Sequence, residues 1–222
     1  MTEAIAFKAP TTAKRASLFV RDKLSFLSGL AHDTVGGRYG KGSLERGNVL
    51  LEEGRRLPPG KERDSKLETA VDIFKKLAYQ YSYDYDYARC ARAASKMAEG
   101  LELLKRESDV VRAKYTEGHW WGHVAYMEDD SSVGIHIKNL DWNEARSALK
   151  DVISALEKQK AAYQRCIDSP ANEIGEDPTL MKWGPHISSK ADYKKVIGAL
   201  VEKVDSKLTM ARELMHTVQA KC

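Results

Sequence analysis

Residues Tyr87 to Tyr115 read YARCARAASKMAEGLELLKRESDVVRAKY, and the fold turns on how this stretch is built. Cys90, Ala94, Met97, Leu101, Leu104, Ser108, Val111 and Tyr115 recur at alternating spacings of four and three. Side chains so spaced share one face of an α-helix, so the spacing predicts one helix over about 87–115 with a narrow apolar seam. Ser108 is the sole interruption.

Two further segments repeat the pattern. Trp142, Ala145, Leu149, Val152, Leu156, Gln159, Tyr163 and Cys166 predict a helix over about 141–168, interrupted only at Gln159. Ile197, Leu200, Val204, Leu208, Ala211, Met215 and Val218 predict another over about 190–219, with a four-four step that makes its seam drift from a strict heptad. Asp141 and Asp192 stand where N-cap carboxylates accept from free amides of a first turn. Ser65 and Glu68 form a capping box before Leu67, Val71, Phe74 and Leu77. A shorter helix is expected over 13–31, through Ala16, Val20, Leu24 and Leu27. Gly47 and Gly54 leave residues 43–57 undecided between helix and coil.

Loops are marked by GGRYGKG at Gly36 to Gly42, by LPPG at Leu57 to Gly60, and by about twenty residues from Ser169 to Ser188. The expected architecture is all-α, an antiparallel bundle of three long helices plus shorter N-terminal helices and an irregular arm. Residues 1–63 are assigned to the arm and 64–222 to the bundle domain.

Pairing the first two long helices antiparallel sets Tyr115 against Trp142, Leu104 against Val152, Leu101 against Leu156, Ala94 against Tyr163 and Cys90 against Cys166. Small then faces large at Ala94 and Tyr163, as interdigitation requires. Cys90 and Cys166 are expected in one end layer. Cα atoms more than about 7 Å apart there would exclude a disulfide. Three cysteines without CxxC spacing form no metal set, and the odd count fits free thiols or one bridge plus one spare.

The 222 residues suffice for a sizeable interior, and 42% apolar with 31% charged residues is a normal folded composition. Acids interleave with bases and the net charge is +4, so no phosphate-binding stripe stands out and no nucleic acid is expected as a partner. No run approaches the roughly 18 to 20 apolar residues of a membrane span. The first 21 residues carry Lys8, Lys14, Arg15 and Arg21 against Glu3 and read as a docking arm, with a transit-like segment as the competing reading.

The stretch TEGHWWGHVAYMEDD, Thr116 to Asp130, places His119 and His123 at i and i+4, the spacing by which a helix offers two imidazoles to a metal. Glu128, Asp129 or His136 would have to fold back to complete the set. Two flanking glycines and the lack of a Glu after the first His favour instead a bundle end capped by buried Trp120 and Trp121. GGRYGKGS fails the phosphate-loop count, with Val35 and Gly42 at required positions. In YQYSYDYDY, Tyr79, Tyr81, Tyr83, Tyr85 and Tyr87 read as a connector between helices, since Asp84 and Asp86 would repel a nucleic-acid backbone. No nucleophile elbow occurs, and Cys90 and Cys166 fall on seams where a thiol acts as a small apolar group. No catalytic residue, no metal and no cofactor is expected.

The segment IKNLDWNEARSALKDVISALEKQKAAYQRCI, Ile137 to Ile167, resembles the PsbQ family of extrinsic four-helix subunits on the lumenal side of photosystem II, through Trp142, Arg146, Leu149 and Leu156. VIGALVEKVDSKLTMAR is compatible with the next family helix, and the likeness covers residues 137–212. It implies a non-enzymatic docking protein in the oxidising thylakoid lumen, with peripheral association to a membrane complex, where a Cys90–Cys166 bridge is plausible. The family continues into a further helix, and residues before about Asp130 have no counterpart. Without the resemblance, a cytoplasmic location is expected.

A second reading is a helical-hairpin adaptor. YDYARCARAASKM, LDWNEARSALKDV and ADYKKVIGALVEK each set an aspartate and an aromatic before a helix, similar to tetratricopeptide repeats, though their spacings exceed that period. Both readings make the chain a structural or interaction subunit whose partners are subunits of a larger assembly. Trp183 in the long loop, Trp120 and Trp121, and Tyr81, Tyr83 and Tyr85 are the expected contact residues.

Overall fold

A computed structural model describes residues 41–128, 132–175 and 192–222. The expected helix over 13–31, most of the glycine-rich linker, and Trp183 with its loop from 176 onward lie outside the described residues. Within them the chain is helical and strand-free: α1 (Lys41–Arg56), α2 (Lys61–Tyr83), α3 (Tyr87–Leu103), α4 (Glu107–Glu128), the single turn α5 (Gly134–Lys138), α6 (Trp142–Asp168) and α7 (Tyr193–Gln219). None of these helices is long and apolar enough to cross a membrane. The all-α antiparallel bundle is therefore the fold.

The extensive interfaces run α1–α2, α2–α3, α3–α4, α4–α6 and α6–α7, with α5 resting on α6. Among the described residues each long helix thus packs on its neighbours in chain order, as an open array. One continuous core still threads it, from Leu51 through Phe74, Val111 and Leu149 to Val204.

The single helix expected over 87–115 is two helices. The chain reverses at Leu104–Arg106, where Lys105 takes φ 59° and the Arg106 amide donates back to Leu101 at 3.0 Å. That six-to-one bond is the Schellman closure of a helix end. The same closure recurs at Tyr85, with the Asp86 amide on Tyr81, and at Leu140, with the Asp141 amide on His136. Side chains at positive φ cost about 1 kcal/mol each, and none of the three positions is glycine. The reversal spends three residues, close to one helical turn, so the four-three spacing runs through it unbroken.

The register changes with it. Helix α4, not α3, lies along α6: Tyr115 stacks on Tyr163 with ring centroids 5.9 Å apart, and the Cys166 thiol donates to Val111 at 3.5 Å. Tyr115 therefore does not meet Trp142, nor Ala94 Tyr163. Cys90 donates instead to Ala78 of α2, beside Tyr87, whose ring stacks on Trp120. Val111 and Trp120 stand nine residues apart on α4, or about 14 Å. Cys90 and Cys166 belong to opposite ends of that helix, and both are free buried thiols.

Other local expectations are refined. Helix α2 begins at Lys61 after Gly60, so Ser65 and Glu68 lie inside it, and the Ser65 carbonyl accepts from Thr69 at 2.8 Å. Asp141 and Asp192 occupy N-cap positions without a side-chain bond, whereas Asp86 accepts from the Arg89 amide at 3.1 Å. Residues 41–56 form a helix despite two glycines, because close approach needs them: a Cβ on Gly54 would stand 2.5 Å from Leu67. Leu51 of that helix joins the common core, and the boundary drawn at residue 63 falls within α2.

Gly118 plays the same part between α4 and α6, where an added Cβ would stand 2.5 Å from the Tyr163 ring. Gly118→Val is expected to lower stability by about 2 kcal/mol through overpacking. A urea midpoint unchanged from the parent chain would contradict this packing.

Candidate interaction site

Antiparallel order brings the C-terminus of α2, the N-terminus of α3, the C-terminus of α4 and the N-terminus of α6 to one end of the array. The tyrosine run lies here, but it is not a connector. Helix α2 continues to Tyr83, and only Asp84–Asp86 form the turn. Helical rotation separates the rings: Tyr81 turns inward and is 7% exposed, while Tyr83 and Tyr85 are 59% and 56% exposed. The Tyr79 and Tyr83 rings meet edge to face at 4.9 Å, with their hydroxyls 2.6 Å apart.

A chain of ring contacts runs inward from Tyr85. Tyr85 meets Tyr87 at 6.2 Å, and Tyr87 stacks on Trp120 at 5.4 Å and lies 5.0 Å from His123. His119 and His123 follow at 4.7 Å between centroids. Burial, reinforced by the neighbouring His123, lowers the His119 pKa to about 4, and burial also lowers that of His123. Both imidazoles are thus neutral at pH 7. The buried Nε2 of His119 and Nε1 of Trp120 have no hydrogen-bond partner.

The i, i+4 pairing of the histidines is as the spacing required. Among the described residues no group of three His, Cys, Asp or Glu side chains assembles around them. Trp120 and Trp121 are 5% and 7% exposed, so they hold the helix end together rather than offering a contact, and Lys158 lies 4.5 Å over the Trp121 ring.

The surface of this end holds what the sequence pattern did not reveal. Tyr126 and Met127 from α4, and Ile135 and Leu140 around α5, are exposed at the same end as Tyr79, Tyr83 and Tyr85. Val49 and Met210 are the remaining large apolar side chains exposed among the described residues. Lone exposed apolar residues are ordinary, but a collection drawn from several helices is a feature of contact surfaces. No periodicity within one helix announces it.

A second feature lies on the side of the array, a cleft of about 270 Å³ with α2 and α4 as walls and Met97 and Leu101 of α3 at its floor. Its rim mixes signs: Glu68, Asp72 and Asp109 alternate with Lys75, Arg106 and Arg112. The Arg106 guanidinium pairs with Asp109 at 2.6 Å, and Arg112 donates to Gly175 at 2.8 Å.

Cys90 and Cys166 are buried thiols held protonated in the folded chain. Burial raises the Cys90 thiol well above its ordinary range and pushes Cys166 up to about 12. Cys222 is exposed. Iodoacetamide on the folded chain at pH 7.5 is expected to label Cys222 alone, with Cys90 and Cys166 reacting after denaturation. Peptide mapping showing native modification at Cys90 or Cys166 would contradict their burial.

Fold and site together define a helical-hairpin array with an exposed aromatic end. No protein-family model matches the chain, and no curated protein or solved structure does so either.

Proposed function

We propose that the chain is a non-enzymatic docking subunit that joins a larger protein assembly through its tyrosine-lined end. The observation that carries this reading is the exposure of Tyr79, Tyr83, Tyr85, Tyr126 and Met127, from separate helices, at one end of the array. Such rings supply contact area at little conformational cost, because a tyrosine has few rotatable bonds. Packing between successive helices favours the hairpin-adaptor form, since an open array leaves its ends and clefts accessible. A photosystem-type docking context of the PsbQ kind rests on α6 and α7, where Leu149 and Leu156 are buried and Trp142 is half-buried.

The test is native mass. Tagged chain recovered from its own cells is expected to sediment well above its 24.9 kDa. Tyr83→Ser with Tyr85→Ser should return it toward that mass while shifting stability by under about 0.5 kcal/mol, as for surface changes. Sedimentation of the parent chain as a monomer would overturn the reading.

A further inference from the structure

Helix α1 enters the array at the tyrosine-lined end. Gly54 packs on Leu67 and Gly47 on Phe74, and Glu53 pairs with Lys66 at 2.6 Å, so each residue back along α1 is one forward along α2. Lys41 therefore stands level with Gln80, beside the last turn of α2. Residues 1–40 precede Lys41 in sequence, so the chain before α1 departs from the end that exposes Tyr79, Tyr83 and Tyr85. Within that stretch, residues 13–31 carry Ala16, Val20, Leu24 and Leu27 at helical spacing, an apolar stripe that needs a surface to cover it.

The exposed side of α1 does not offer that surface. Glu45, Arg46, Asn48, Glu52 and Arg56 are exposed on it, and Val49 is the one large apolar side chain exposed on this helix. A further helix laid there would strip water from those polar groups. The exposed apolar surface beside Lys41 is the end itself, where Tyr83 and Tyr85 are more than half exposed. The connection from His32 to Gly40, with Gly36, Gly37 and Gly40 in it, spans at most about 30 Å, the width of about three packed helices. A tether that short holds the segment beside the end at roughly millimolar effective concentration.

From this register we infer that residues 13–31 cover the tyrosine-lined end of their own chain while it is free, so that docking onto an assembly exchanges one cover for the other. The contact is apolar: Val20, Leu24 and Leu27 lie against the rings, which keep their hydroxyls toward water. The exchange rests on the docking reading above, and the self-contact adds what holds the end until a partner arrives. Partner affinity is then reduced by the fraction of chains whose end is open, a reduction that loss of the stripe removes.

The experiment uses the full chain with Tyr83 replaced by the photo-crosslinking ring p-benzoylphenylalanine. Irradiation of the purified chain is expected to join position 83 to residues 13–31 of the same molecule, read by peptide mapping, with no link between isotope-heavy and isotope-light chains in a mixture. Leu24→Ser with Leu27→Ser should lower that yield at least about tenfold, since two leucines lose their apolar burial. The same probe at Val49 should give no such link. Within the native assembly the yield from position 83 should also fall at least about tenfold, because partner and segment compete for the same rings. An absent link, a yield indifferent to the serine pair, an equal yield from Val49, or a yield unchanged in the assembly overturns the inference. So does a heavy-to-light link, which would give this end to a second copy. Failure is distinguishable from that of the docking reading. A large native assembly whose free chain shows no self-link sinks only the self-contact, and a self-linked chain that is monomeric in its own cells sinks only the assembly.

Discussion

Replacing Glu117 by Leu is expected to cost about 3 kcal/mol of stability. Lys114 is 1% exposed in the middle of α4, and its ammonium donates to Glu117 at 3.0 Å. Removing the carboxylate leaves a buried cation without its counter-charge, and that penalty exceeds the worth of the pair itself. The partner experiment gives the opposite sign: Lys114→Met with Glu117→Leu should recover most of the loss, because well-packed apolar groups can replace a buried ion pair at little cost. Chemical denaturation of the three proteins at pH 7 decides it. A double variant no more stable than Glu117→Leu would show that Lys114 serves some end beyond the pair.

Acidification should weaken the fold through His119 by a similar amount. Its folded pKa of about 4 lies below the ordinary 6.5. At pH 7 the imidazole is neutral in both folded and unfolded chains, so it contributes no pH dependence there. As pH falls below 6.5 the unfolded chain takes up a proton that the folded chain refuses until about 4, and stability declines across that window by about 3 kcal/mol. Below it the loss is complete and constant. His123, lowered by burial as well, acts in the same direction. His119→Gln should flatten this part of the profile relative to the parent chain, measured as the urea midpoint from pH 7 to 4. Parallel profiles would mean that His119 is charged in the folded state.

The apolar period of three and four decided that the long segments are helices and which side of each turns inward. Leu149, Val152, Leu156 and Tyr163 are buried on α6, and Ile197, Val204 and Leu208 on α7, because a single helix sorts its side chains by rotation alone. Local chemistry also marked the loop at Leu57 to Gly60 and the helix starts after Asp86, Asp141 and Asp192. Within the site, the histidine spacing and the inward place of Trp120 were legible for the same reason.

Tertiary structure decided the rest. The reversal at Lys105 carries no glycine or proline, and its three residues keep the helical phase, so only the packing of α3 against α4 distinguishes it from a continuous helix. That one turn moved α6 onto α4 and placed Cys90 and Cys166 at opposite ends, and Lys114 of α4 is buried. The exposed end was out of reach of local pattern too, because Tyr83, Tyr126 and Leu140 belong to separate segments of the chain and reach the same end only when the helices alternate in direction. Periodicity is a property of one helix and is written along the chain. Register and shared surface arise between helices, where the order of reversals sets them.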